Sequence, residues 1–202
     1  MSDSATHSQQ KAQLRRQMRQ LRQSLSGNEH QLYAKGLAQQ LQLSTAFQQA
    51  ERVACYLAQD GELSLCHIIT LCWQLQKQVF LPHLKPLPPN RLWFVPYTEQ
   101  SSLAPNRYGI DEPTGVHHQA CRVSELDIVL FPLVAFDTSG GRLGMGGGFY
   151  DRTFAHLSQQ KHRPLFIGIA LEEQKVETLP TEAWDLPLDA VATPDNFYSF
   201  AG

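Results

Sequence analysis

Between Asp137 and Arg152 the chain reads Asp-Thr-Ser-Gly-Gly-Arg-Leu-Gly-Met-Gly-Gly-Gly-Phe-Tyr-Asp-Arg, with six glycines in the nine residues from Gly140 to Gly148. A backbone so poor in Cβ atoms forms a loop that can lie close against a ligand. The run that follows, Phe149 to Ser158, reads as a helix. A glycine-rich loop entering a helix N-terminus aims several N–H groups at one point, where the helix dipole also favours an anion. Phosphate is the simplest ligand for such a place. The plain alternative is a flexible hairpin or linker, but linkers of that kind are rich in Gly and Ser. This loop has Arg142, Asp151 and Arg152 at its edges.

Two familiar phosphate loops do not fit. A P-loop ends in Gly-Lys-Ser/Thr, and no Lys follows these glycines. The dinucleotide fingerprint spaces its glycines G-x-G-x-x-G, and from Gly144 and Gly146 the third position is Phe149. Asp151 would repel a phosphate unless Mg²⁺ lay between them, held by carboxylate and phosphate oxygens together. Its other reading is an acid that complements the helix dipole.

The length of 202 residues suits one domain with a substantial core. A net charge of −2 argues against general nucleic-acid binding, although the N-terminus is basic. Cys55, Cys66, Cys72 and Cys121 form no C-x-x-C pair and read as reduced thiols, without a disulfide frame or zinc site. No apolar run reaches membrane-spanning length, and the first residues lack an apolar signal region. The expectation is a cytoplasmic protein, a monomer, acting on small molecules without nucleic acid or membrane.

Met1 to Gln9 reads as a polar, frayed start. A helix is expected from Gln10 to Leu25, with Leu14, Met18, Leu21 and Leu25 as a core stripe. Lys11, Arg15, Arg19 and Arg22 form a row beside that stripe, either solvated or leaning over the core edge toward a ligand. Ser26-Gly-Asn-Glu29 is a capping box for a second helix to Leu43, with Leu32, Leu37 and Leu41 inward. Val53 to Leu57 suits a buried parallel strand. Asp60-Gly61-Glu62 then lies at its carboxyl end, where ligands gather in open α/β sheets.

A helix from Leu63 to Gln76 is expected to bury Leu65, Ile68, Ile69, Cys72 and Leu75. Gln78 to Leu81 reads as a strand stopped by Pro82, and Arg91 to Val95 as a further, antiparallel one. Thr98 to Ser124 reads as a long irregular connection. His117-His118 lacks a third ligand at a suitable spacing. Leu126 to Leu130, Leu165 to Ala170 and a short strand within Ala183 to Thr193 complete the pattern. Strands alternating with helices predict an α/β fold. The expected form is one domain over residues 1–202 with three αβα layers, a mostly parallel, mixed open sheet with helices on both faces, and the helical pair 10–43 packed on the core.

From Gly140 to Arg152 the chain resembles the 5-formyltetrahydrofolate cyclo-ligase family, also called methenyltetrahydrofolate synthetase, in its loop Asn/Gly-Arg-Leu-Gly-x-Gly-x-Gly-Tyr/Phe-Tyr-Asp. Lys11-x-x-Leu-Arg15 is similar to the family's basic helix, and Asp60-Gly61-Glu62 to its folate-contacting segment. Asp185-Leu-Pro-Leu-Asp189-Ala-Val-Ala-Thr193 is similar to its C-terminal acid pair.

The resemblance implies ATP as cosubstrate, Mg²⁺ as cofactor and 5-formyltetrahydrofolate as substrate. It implies that Arg142, Leu143, Gly144, Met145, Gly146, Gly147, Gly148, Phe149 and Tyr150 line ATP, with Lys11 and Arg15 reaching its phosphates. Lys11, Arg15 and Arg142 would do the catalytic work on the phosphoryl group. Leu57, Glu62 and Met145 to Phe149 would contact the folate. Asp151 and Asp185 would serve Mg²⁺, with Asp189 a further candidate. Members often carry basic residues inside the loop where this chain has Met145 and Gly147, so phosphate contacts fall to the backbone and to Arg142 or Arg152. A non-catalytic ATP and folate sensor, an ATP-independent enzyme on the same scaffold and an RNA-binding protein are the rival readings.

Overall fold

The computed structural model describes residues 2–157, 160, 162–182 and 184–200. Met1, Ser158 and Ala183, which the sequence reading included in the polar start, the loop helix and the last segment, lie outside those residues.

Two helices open the chain, α1 (Ser2–Ser24) and α2 (Gly27–Leu43). The capping box forms as expected: Ser26 Oγ accepts the Glu29 N–H at 3.3 Å, and the Glu29 carboxylate accepts the Ser26 N–H at 2.8 Å. The order then runs α3 (Thr45–Gln49), β1 (Arg52–Ala54), α4 (Cys66–Gln74), β2 (Gln78–Leu84), β3 (Leu92–Tyr97), β4 (Leu103–Pro105) and β5 (Asp111–Pro113). It ends with β6 (Ile128–Pro132), β7 (Ala135–Phe136), β8 (Arg142–Leu143), α5 (Phe149–Phe154), β9 (Leu165–Ile169), β10 (Ala190–Ala192) and β11 (Phe197–Ser199).

A seven-stranded sheet has the order β11-β10-β9-β6-β1-β2-β3. Neighbours from β10 to β2 are parallel, and only the edge strands β3 and β11 are antiparallel. Alternation along each strand splits the core in two. Val53, Cys55, Ile128, Leu130 and Ile167 face α2, α3 and α4 through Leu37, Leu41, Phe47, Ile68 and Cys72. Ala54, Val129, Phe131 and Phe166 face the other way, onto Phe154 of α5 and onto Leu157, Leu186 and Leu188. The three-layer, mixed but mostly parallel α/β arrangement is the one expected.

β1 leads through α4 to β2 on one side, while β6, β9 and β10 extend the sheet on the other. The crevice outside the carboxyl ends of β1 and β6 is therefore the topological switch point, where such sheets bind ligands. α1 caps this end: Leu14 and Met18 pack on Val134, Ala135 and Leu143 of the small β7–β8 hairpin, from which the glycine loop emerges.

Several local expectations are corrected. α1 begins at Ser2, so the first residues continue the helix. Leu32 is exposed off the buried stripe of α2, and Leu75 is exposed just past the end of α4. β1 ends at Ala54, short of Leu57, and α4 spans less than the expected 63–76. β2 passes through Pro82 because β1 pairs with it only as far as Phe80, so the missing N–H breaks no ladder on that side. Segment 98–124 holds the β4–β5 hairpin, one single-turn 3₁₀ helix and the start of a second that ends at Glu125. β11 was not foreseen.

Candidate functional site

The cavity at the switch point has a volume of about 940 Å³. Lys11 and Arg15 of α1, Leu57 and Glu62 after β1, the whole run Arg142 to Tyr150, Asp151 and Asp185 all line it. The residues singled out from the sequence for ATP, folate or metal thus meet in one place, except Asp189, which does not line the cavity.

Asp137 sets the shape of the glycine loop. Its carboxylate accepts the N–H groups of Ser139 (3.0 Å), Gly141 (2.9 Å) and Leu179 (2.9 Å), and the Ser139 hydroxyl at 2.6 Å. Burial pushes this carboxyl up, but the hydrogen bonds from Ser139, Leu179 and Gly141 outweigh it and hold the group below the usual range. At the far end Gly148 enters α5 with φ of +61°, a conformation that suits glycine. Arg152 donates to the Gly147 carbonyl and, at 3.2 Å, to that of Asn90, pinning the loop exit.

α5 is six residues long, shorter than the helix expected from Phe149 to Ser158. A dipole from so short a helix is small, so the loop amides and nearby cations must carry any affinity for phosphate. Arg15 donates Nε–H to the Gly144 carbonyl at 2.9 Å, and its guanidinium lies beside Gly146. Arg142 is buried, ion-paired with Asp151, and its guanidinium stacks 4.9 Å from the Phe131 ring centroid. Burial lowers the Arg142 pKa, opposed chiefly by Asp151 and Asp185, and Arg142 remains a cation. Lys11 Nζ lies 3.6 Å from Asp185 and 3.7 Å from Glu182. The result is one network of alternating charge that spans α1, the loop and the segment before β10.

Asp151 and Asp185 both belong to it. No group of three His, Cys, Asp or Glu side chains gathers as a metal cage among the described residues. Two carboxylates in a cavity with phosphate-compatible cations fit Mg²⁺, which usually binds through one or two carboxylates, phosphate oxygens and water. Asp189 has other work. It accepts two bonds from Arg163, both at 2.7 Å, and the Phe166 N–H at 2.7 Å, fixing β9 to the turn before β10.

The remaining wall is apolar. Tyr56, Leu57, Leu81, Pro82, Leu84, Leu92 and Leu133 line it, with Met145 and Phe149 from the loop. Glu62 sits here, nearly buried, with Oε2 accepting the Gln59 N–H at 3.0 Å. Burial pushes the Glu62 pKa up, against the Gln59 hydrogen bond and Arg22.

Sequence reasoning missed the β4–β5 hairpin as part of the site. Asn106, Tyr108, Ile110 and Glu112 line the cavity, and the Tyr108 ring meets Phe149 edge-on at 5.9 Å. The signal was Asn106-Arg-Tyr-Gly109, a turn sequence, masked by Pro105 and Pro113 in its flanks. Trp184, 71% exposed at the cavity mouth, gave no pattern to find.

The profile of the 5-formyltetrahydrofolate cyclo-ligase family matches residues 7–194. An Escherichia coli (strain K12) 5-formyltetrahydrofolate cyclo-ligase is 40% identical, over 91% of this chain and 100% of that one. A Haemophilus influenzae 5-formyltetrahydrofolate cyclo-ligase is 37% identical, over 90% and 96%. The solved structure of Aquifex aeolicus 5,10-methenyltetrahydrofolate synthetase superposes with a TM-score of 0.79 at 29% identity, covering 95% of this chain and 93% of that one.

Proposed function

The chain belongs to the 5-formyltetrahydrofolate cyclo-ligase family, and from that premise we propose that its cavity activates the formyl group by phosphoryl transfer from ATP. The protein is a ligase that converts 5-formyltetrahydrofolate to 5,10-methenyltetrahydrofolate.

A formamide carbon is a poor electrophile because the nitrogen lone pair is delocalised into the carbonyl. The formyl oxygen attacks the γ-phosphorus of ATP, the bond to the β-phosphate oxygen breaks, and ADP leaves. The carbon now bears phosphate as a leaving group and is iminium-like. N10 of the same folate attacks it, closing the five-membered ring. N10 loses its proton, the C–O bond breaks, and phosphate departs with the electron pair. Both nucleophiles belong to the substrate, so the chain supplies alignment and charge stabilisation and needs no nucleophile of its own.

Arg15, Lys11 and Arg142 hold the phosphates against the loop amides, and Arg142 keeps Asp151 in place. Asp151 and Asp185 would hold Mg²⁺, whose charge, when it is bound, offsets that of the phosphates. Leu57, Met145 and Phe149 pack on the folate, while Glu62 accepts its hydrogen bonds and fixes its orientation. The β4–β5 hairpin covers the ring system from one side. The four unpaired cysteines support a reducing, cytoplasmic setting.

One observation carries this reading: the Arg15–Gly144 contact ties the basic helix to the glycine loop in the same cavity as Glu62. At about 940 Å³ that cavity lies near the top of the small-molecule range of about 300–1,000 Å³ and has room for two ligands. The test is near-ultraviolet absorbance of the conjugated methenyl product. Protein, 5-formyltetrahydrofolate and MgATP give a rise that vanishes when ATP or Mg²⁺ is omitted. A rise that persists without ATP overturns the phosphoryl-transfer reading.

A further inference from the structure

Arg22 is 1% exposed and ranks among the largest fully buried side chains of the protein. Its guanidinium lies between Leu133, just after β6, and the Asp60–Glu62 turn that follows β1. Nη1 donates to the Leu133 carbonyl at 3.3 Å and lies 3.9 Å from Glu62 Oε1, while Nη2 donates to Asp60 at 3.4 Å. Its Nε is buried without a hydrogen-bond partner among the described residues.

A buried cation is costly, and a well-packed apolar side chain of similar size is often as stabilising or more so. Stability alone therefore does not call for Arg here. Asp60 does not call for it either. Arg19 answers that carboxylate at 2.5 and 3.0 Å, and Gln23 adds a bond at 2.7 Å. The charged groups that act on Glu62 are Arg22 from α1 and Asp60 in its own turn, while Glu62 itself helps to raise the pKa of Tyr56 after β1 and of Tyr150 on α5. Of these only Arg22 is a cation. Gly61 completes the fit: its φ is +75°, and a Cβ there would stand 3.0 Å from the Arg22 backbone, so α1 seats directly on the turn.

We propose that Arg22 is a positioning residue, holding Glu62 as an oriented carboxylate so that Glu62 can bind the folate. The inference rests on the reading of Glu62 as a folate-binding group. Ligand-facing carboxylate, buried cation and switch-point backbone then act as one unit. Burial raises the Glu62 pKa and Arg22 opposes that rise, so removing the cation lets the carboxyl protonate at higher pH.

The experiment compares Arg22→Met, Arg22→Lys and Glu62→Gln by the pH profile of kcat/KM for 5-formyltetrahydrofolate, KM for ATP and Tm. Arg22→Met moves the acid limb up by about one pH unit, about a tenfold loss at a fixed pH on that limb, with KM for ATP unchanged. Arg22→Lys keeps the limb close to its original position. Glu62→Gln abolishes it. Should Arg22→Met not fold, Arg22→Gln makes the same comparison. An acid limb unmoved in the neutral Arg22 variant but lost in Glu62→Gln overturns the inference alone. A limb that survives in Glu62→Gln overturns the reading of Glu62, and the inference with it.

Discussion

Arg15 and Gly144, 129 positions apart in sequence, are joined by a hydrogen bond from the guanidinium Nε to the loop carbonyl at 2.9 Å. One bond thus fixes the height of α1 above the glycine loop and leaves the terminal guanidinium nitrogens beside Gly146. Burial lowers the Arg15 pKa, Asp185 opposes it, and the side chain remains charged.

Replacing Arg15 by Ala removes the proposed charge-assisted phosphate contact, a contribution of about 1.5–3 kcal/mol. The expected result is a loss of about 10–100-fold in kcat/KM for ATP, with the Kd for 5-formyltetrahydrofolate alone little changed. Steady-state kinetics and calorimetry check this. A variant that loses folate affinity and keeps its KM for ATP would assign Arg15 to the wrong ligand.

Asp151→Asn keeps the shape of the side chain and removes its charge, both from the proposed Mg²⁺ site and from Arg142. Half-saturation by Mg²⁺ is expected to rise about tenfold or more, with turnover falling alongside. An unchanged Mg²⁺ titration would take Asp151 out of the metal site.

Asp189 gives the contrasting case, because its carboxylate is spent on Arg163 and the Phe166 N–H. Asp189→Ala should cost about 1–3 kcal/mol of stability, read by denaturant unfolding, and leave the Mg²⁺ dependence alone. A stable variant with altered Mg²⁺ dependence would return Asp189 to the candidate ligands.

How legible each piece was follows from how many chain segments it needs. The glycine loop is contiguous, so its residue types and order announced it. Lys11 and Arg15 repeat at helical spacing and could be placed on one face. The same row contains Arg22, yet its burial depends on Asp60, Glu62 and Leu133, which no local pattern brings together. The sequence placed Asp185 ahead of Asp189 for the metal without showing why; the structure sets Asp185 in the cavity beside Lys11 and Asp189 against Arg163 and the Phe166 N–H. Gly147 stood out as a departure in the loop; a Cβ there would meet the Phe149 ring at 2.9 Å, so any side chain would require that ring to shift. The sheet was legible through its buried apolar runs. The β4–β5 hairpin was not, because its three-residue strands carry prolines and all of β4 is exposed.

Asp137 links pH to the loop. Its folded pKa lies below the ordinary value, so its hydrogen bonds contribute fully above the unfolded value of about 3.9 and are lost as pH falls through the folded one. The stability difference between the parent and Asp137→Asn, measured by unfolding from pH 6 downward, should hold steady and then shrink below about pH 4. A difference that does not change with pH would mean that the carboxylate charge is not what orders the loop.

The fate of the formyl oxygen tests phosphoryl activation most directly. With 5-formyltetrahydrofolate labelled by ¹⁸O in the formyl group, a single turnover with MgATP should deliver the label to inorganic phosphate, read by mass spectrometry or by the ³¹P isotope shift. Label found in water, with unlabelled phosphate, would contradict the account, because the formyl oxygen would then have left without ever bonding to phosphorus.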